Sequence, residues 1–138
     1  MNAYTYPFEK LDVYQKAEEL ISLSYLICKE LPKSEDFILA QQLKRAALSV
    51  SANIAEGSGR ASSNDRAHFI NLAYSSALEC ISHVRIASKL QLIQSTQEKK
   101  YRLLVNQVTL QLNRYYQYHL KQGNHLRDLP VDEKGGGR

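Results

Sequence analysis

Residues 44–60 read KRAALSVSANIAEGSGR. Two cations open the run, small residues fill it, and it closes on Gly57-Ser58-Gly59-Arg60. Such a stretch can grip phosphate, edge an active site, or form a helix lying close against its neighbours. On a helical wheel at about 100° per residue, Ala46, Ala47, Val50 and Ile54 share one stripe. Leu48, Ser51 and Ala55 make a second, shallower apolar edge, and Arg45, Ser49, Asn53 and Glu56 lie on the far side. Small side chains at this many positions let another backbone come near, so dispersion contacts replace long side chains. Two apolar edges exceed what a lone bundle needs. The surplus edge, with Leu48 and Ala55, is expected to meet another subunit.

The phosphate reading fails on spacing. A Walker loop needs Gly, four residues, then Gly-Lys-Ser/Thr after a strand, and a nucleophile elbow needs Gly-x-Ser-x-Gly. Neither pattern is present. The glycines follow a helix C-terminus, the negative end of its dipole, where Gly57 is expected to be a left-handed cap. An anion could still meet the start of the next helix beside Arg60 and Arg66.

Working outward, the same amphipathic period recurs along the chain. Val13, Leu20 and Ile27 repeat every seven positions, interleaved with Ala17, Ser24 and Leu31, and Pro32 stops that helix. Ser34 offers an N-cap, with Glu35 and Asp36 in the following turn. A second stripe then holds Leu39, Leu43, Ala46, Ala47, Val50 and Ile54. Ser62, Ser63 or Asn64 can cap a third helix carrying Phe69, Leu72, Ala73, Ser76, Cys80, Val84, Ala87 and Leu90. Ser95 and Glu98 have capping-box spacing, and Tyr101, Leu104, Val105, Val108, Leu112 and Tyr115 form a fourth stripe ending at Gly123. No segment alternates as a half-buried strand does. The expected fold is all-α, an antiparallel up-down-up-down four-helix bundle over residues 1–123, followed by a mobile tail at 124–138.

A chain of 138 residues fits one domain with a full core. Two cysteines without framework spacing and no signal peptide point to a reducing cytoplasm. No apolar run approaches the roughly 20 residues of a membrane span. Charge is unevenly spread: four Lys/Arg face seven Asp/Glu up to Asp36, whereas eleven face four from Phe37 to Lys121. A positive field of that kind favours a polyanionic partner.

Residues Gln42-Leu43-Lys44-Arg45-Ala46-Ala47, then Asn53-Ile54-Ala55-Glu56-Gly57 and Arg60, resemble the signature of the bacterial four-helix-bundle proteins, also called 23S rRNA intervening-sequence proteins. Phe8 to Ala17 is similar to the first-helix motif of that family, with Tyr14 where Trp is more usual. Leu31-Pro32 followed by Glu35, and Ser76-Ala77-Leu78-Glu79, match as well, so the likeness spans residues 8–120. The resemblance implies an antiparallel bundle that assembles as a ring, typically a homopentamer. Some members are encoded within inserted segments of rRNA genes. A related bundle is the accessory protein of a retroelement reverse transcriptase and is thought to bind nucleic acid. The family has no established catalytic residues, so the resemblance implies none in this chain.

Other constellations fall short of a chemical site. A di-iron site needs Glu-x-x-His on two helices, and Asp65 with His68 is the only acidic pair so spaced. Cys80 and His83, with Cys28 opposite, fall short of a zinc set, so a core thiol beside an edge histidine is expected. Arg45, Asn53 and Glu56 read as a structural polar network or subunit contact, since nothing supplies a base with an orienting partner. No enzyme activity, metal or cofactor is therefore expected. Arg85, Lys89, Lys99, Lys100, Arg102, Arg114 and Lys121, interleaved with Tyr101, Tyr115, Tyr116 and Tyr118, form the expected RNA or other nucleic-acid contact. The competing expectation is a structural adaptor that docks a protein, its charge incidental.

Overall fold

The computed structural model describes residues 3–121. Four helices follow one another: α1 (Asp12–Glu30), α2 (Leu39–Ser58), α3 (Ser63–Lys89) and α4 (Ser95–Leu120). Short links force each helix to run back along the last, and no strand occurs among the described residues. The expected four-helix bundle is what forms. Gly123 and the tail at 124–138 lie outside the described residues.

The apolar stripes fill a single core. Leu20 and Ile27 of α1, Leu43, Val50 and Ile54 of α2, Ile70 and Val84 of α3, and Val108 and Leu112 of α4 are all buried within it. α3 packs along both α2 and α4, while α1 touches its neighbours more sparingly, least of all α4.

The first helix ends where expected, and three other helix ends depart from expectation. Pro32 pushes Leu31 into extended backbone (φ −72°, ψ 146°), which ends α1. Ser34 does not cap α2. Lys33–Glu35 instead form a 3₁₀ turn, closed by Glu35 N–H on the Pro32 carbonyl at 2.8 Å. The helix begins only at Leu39, where Leu39 and Ala40 reach the core that Leu31 already seals.

Gly57 is not a left-handed cap. α2 runs through it to Ser58, and Gly59 caps the helix with an ordinary φ of −86°. Glycine is required at 57 for another reason: a Cβ there would stand 2.9 Å from Phe69 Cβ and 3.1 Å from the Arg66 carbonyl. The left-handed cap lies instead at Gln91 (φ 60°), after α3. There the Leu92 N–H returns to the Ala87 carbonyl and the Gln91 N–H to that of Ser88, both at 2.9 Å, as in a Schellman turn.

Ser62 caps α3, its hydroxyl accepting from Asp65 N–H at 3.3 Å. At α4 the box sits one residue earlier than expected: the Gln97 side chain accepts from Gln94 N–H at 2.8 Å. Glu98 is thus free to turn toward α3.

Candidate nucleic-acid interface and subunit contact

The expected basic surface is divided by geometry. Positions 100 and 102 are about 200° apart around a helix, so Lys100 and Arg102 leave α4 on different sides. Arg102 faces the α3–α4 seam. There Glu98 Oε2 accepts from Arg102 at 2.8 Å and from Arg85 at 3.3 Å, while its own surface is only 8% exposed. The Arg102 hydrogen bond, against the cost of burial and with help from Ser88 and Arg85, holds the Glu98 carboxyl below its usual range. Lys89 and Lys99 are exposed nearby in chain order. Lys100 instead lines a groove between α1 and α4, opposite Glu18 and Glu19. Arg114 borders a second hollow on the same seam, with Leu11, Tyr115 and Tyr118, and Lys121 is exposed beyond the last turn of α4.

The tyrosines divide as well. Tyr101 is fully buried and meets Ser24 at 2.7 Å. Ser24 spends its single proton on the Leu20 carbonyl, also at 2.7 Å, so Tyr101 donates the bond between them. Burial pushes the Tyr101 phenol well above its ordinary range. Tyr115 meets Ser58 at 2.9 Å, Tyr116 is half-buried, and Tyr118 is exposed.

Arg66 is turned into the bundle. It is fully buried and donates to His119 Nδ1 at 3.2 Å and to the carbonyls of Arg60 and Ala61 at 3.0 and 2.7 Å. It braces the α2–α3 link against α4, a role for which the sequence carries no signal. Arg60 pairs with Glu56 at 2.7 Å and lies 4.4 Å above the Phe69 ring.

The far side of α2 is likewise partitioned. Asn53 donates to the Ser49 carbonyl and hydroxyl at 2.8 and 2.9 Å, and Ser76 donates to Ser49 at 2.9 Å. This link joins α2 to α3 within one chain. Arg45 and Glu56 are exposed on either side of it. On the other edge Leu48 is exposed and Ala55 half-buried, leaving that face open.

Sequence reasoning missed the α1–α4 groove. Leu26 and Leu103 line it at 56% and 66% exposure, together with Leu23 and Leu104. Leu103 and Leu110, seven residues apart on α4 and both exposed, were the available signal.

The weak metal constellations separate. His83 turns to Glu79 at 3.2 Å, and the Cys28 thiol donates to the Ala40 carbonyl at 3.5 Å. Burial pushes the Cys80 thiol up to about 12. Among the described residues no three His, Cys, Asp or Glu side chains gather to hold a metal ion. No helix of the described residues is long and apolar enough to cross a membrane.

Comparison with solved structures finds a protein of unknown function from the S23 ribosomal protein family of Bacteroides thetaiotaomicron, superposing with a TM-score of 0.70. The two chains are 21% identical over 75% of this chain and 97% of the other, a likeness that establishes the shared bundle fold. No curated protein matches. The family model described as 23S rRNA-intervening sequence protein matches residues 9–114, the whole of α1, α2 and α3 and most of α4. The chain belongs to the 23S rRNA-intervening sequence protein family.

Proposed function

We propose that the chain is a non-enzymatic, homo-oligomeric bundle that holds RNA, or another nucleic acid, on the cations of α3 and α4. The supporting observation is the placement of charge. α4 carries Lys99, Lys100, Arg102 and Arg114 against the single acid Glu98, and that carboxylate is already committed to two arginines. Lys89, Lys99, Lys100, Arg114 and Lys121 point into solvent. In a ring of subunits the same cations recur around the assembly, and their field adds. The buried polar groups, Ser24 with Tyr101, Ser58 with Tyr115 and Arg66 with His119, tie helices to one another, which favours a binding scaffold over a catalyst. Affinity for RNA should fall steeply as salt rises, and charge reversal at Lys99, Lys100 and Arg102 should flatten that dependence. Binding untouched by the reversal would exclude these residues.

A second reading draws on the exposed leucines of the α1–α4 groove. There the chain is a structural adaptor that docks a protein partner and has no nucleic-acid role. A partner that co-purifies after nuclease treatment and is lost in Leu103→Lys would favour the adaptor.

A further inference from the structure

The up-and-down topology gathers the start of α1, the end of α2, the start of α3 and the end of α4 at one end of the bundle. That end is unusually rich in rings. Tyr4, Tyr6 and Phe8, ahead of α1, and Tyr14 in its first turn form a continuous row, with successive centroids 4.9, 6.2 and 4.9 Å apart. Tyr4 and Tyr6 remain 41% and 40% exposed. Beyond the start of α1, Tyr118 stacks nearly parallel to Tyr115 (6.2 Å, 9°) and is itself 43% exposed. Arg114 borders the hollow that these two rings share with Leu11, and Lys121 follows about two turns later. The neighbouring carboxylates face internal donors: Glu9 accepts from Tyr6 N–H at 2.7 Å, and Asp12 accepts from the Gln111 amide.

We propose that this end is a stacking platform for single-stranded RNA, with Tyr6 and Tyr118 offering ring faces to unpaired bases and Arg114 and Lys121 meeting the phosphates. The proposal rests on the nucleic-acid reading above and gives it a place that the Lys99–Arg102 cluster, at the opposite end, does not. Partly exposed rings bordered by cations suit bases joined by phosphates, because every base has a face to stack and every linkage a charge to neutralise. An apolar peptide is better matched by the leucine-lined groove between α1 and α4, where few rings are present. The two ends would act differently with salt. Stacking adds affinity at every ionic strength, whereas each phosphate contact steepens the salt dependence.

The test is fluorescence anisotropy of a labelled oligouridine with the full chain over a salt series. Tyr118→Ala and Tyr6→Ala should each weaken binding about tenfold at every salt concentration while leaving the salt slope unchanged. Tyr118→Phe and Tyr6→Phe, which keep the ring, should bind as the parent does. Arg114→Ala should lower the slope. Where an alanine variant loses helicity by circular dichroism, Tyr118→Leu or Tyr6→Leu keeps apolar bulk without a ring and takes its place. If the parent binds and the ringless variants match it, the platform is overturned while RNA binding stands. If duplex RNA of equal length competes as well as the single strand, the platform is also overturned. If the parent binds no RNA even at low salt, both readings fall.

Discussion

The α2–α3 seam and the α1–α4 seam solve the same packing problem in opposite ways. The two helices of the first bury many small residues: Ala46, Ala47 and Gly57 on α2, and Ala67, Ala73, Ala77 and Ala87 on α3. The Gly57 backbone approaches Phe69 and Arg66, and the seam is stitched by Asn53, Ser49 and Ser76. Along the second, Leu26 and Leu103 stand in solvent across a groove bridged by side chains, Gln97 to Glu30, Gln111 to Asp12, and the buried Tyr101 to Ser24. Close approach leaves no face to spare. Wide spacing leaves one exposed.

The largest effect is expected on the close seam. Gly57→Val places methyl groups where even a Cβ is too near the Arg66 carbonyl, and backbone cannot step aside cheaply. A loss of about 3 kcal/mol in urea unfolding is expected. Gly57→Ala should lose part of that, and an unchanged midpoint would mean that the two helices are not held so tightly. On the wide seam, Tyr101→Phe strips the donor from Ser24 and should cost about 1–2 kcal/mol. Adding Ser24→Ala should recover some of this, since removing both partners leaves less unsatisfied. A strictly additive double mutant would argue against the bond.

Glu98 gives a smaller effect, confined to acid. Its folded carboxyl is held below the usual range, so its contribution is complete above the unfolded pKa and is lost as pH falls through the folded one. Glu98→Gln should therefore show a shallower loss of stability on acidification than the parent, read from urea midpoints across that range. Parallel pH profiles would remove Glu98 from the acid response. The smallest effect on stability, within about 0.5 kcal/mol, is expected for the exposed Leu103→Lys. Light scattering of this variant beside Ala55→Arg tests the proposed assembly: a lower particle mass in one of them would mark the wide seam or the α2 edge as its contact.

The four helices were legible because their stripes repeat at the helical period and the breaks fall at Pro32 and near Ser62. The caps were less so. Ser95–Glu98 and Gln94–Gln97 satisfy the same spacing one residue apart, and only the demand of Arg85 and Arg102 on Glu98 separates them. Gly57 looks like a turn residue in sequence because the same letter stands for a glycine needed for its φ and one needed for its missing side chain. The division of the basic cluster was implicit in helical geometry, since neighbours in a list need not be neighbours on a wheel. The burial of Arg66 was not legible at all. Its bonds run to the carbonyls of Arg60 and Ala61 and to His119 across the bundle, and nothing nearby in the chain marks it as an interior residue.

The buried bond from Tyr101 to Ser24 limits how the wide seam can move. Sliding α4 past α1 by one turn, about 5.4 Å, would take the Tyr101 phenol away from the Ser24 oxygen that accepts from it in a dry interior. The two rods can therefore splay or tilt about this pin, but they cannot ratchet along each other.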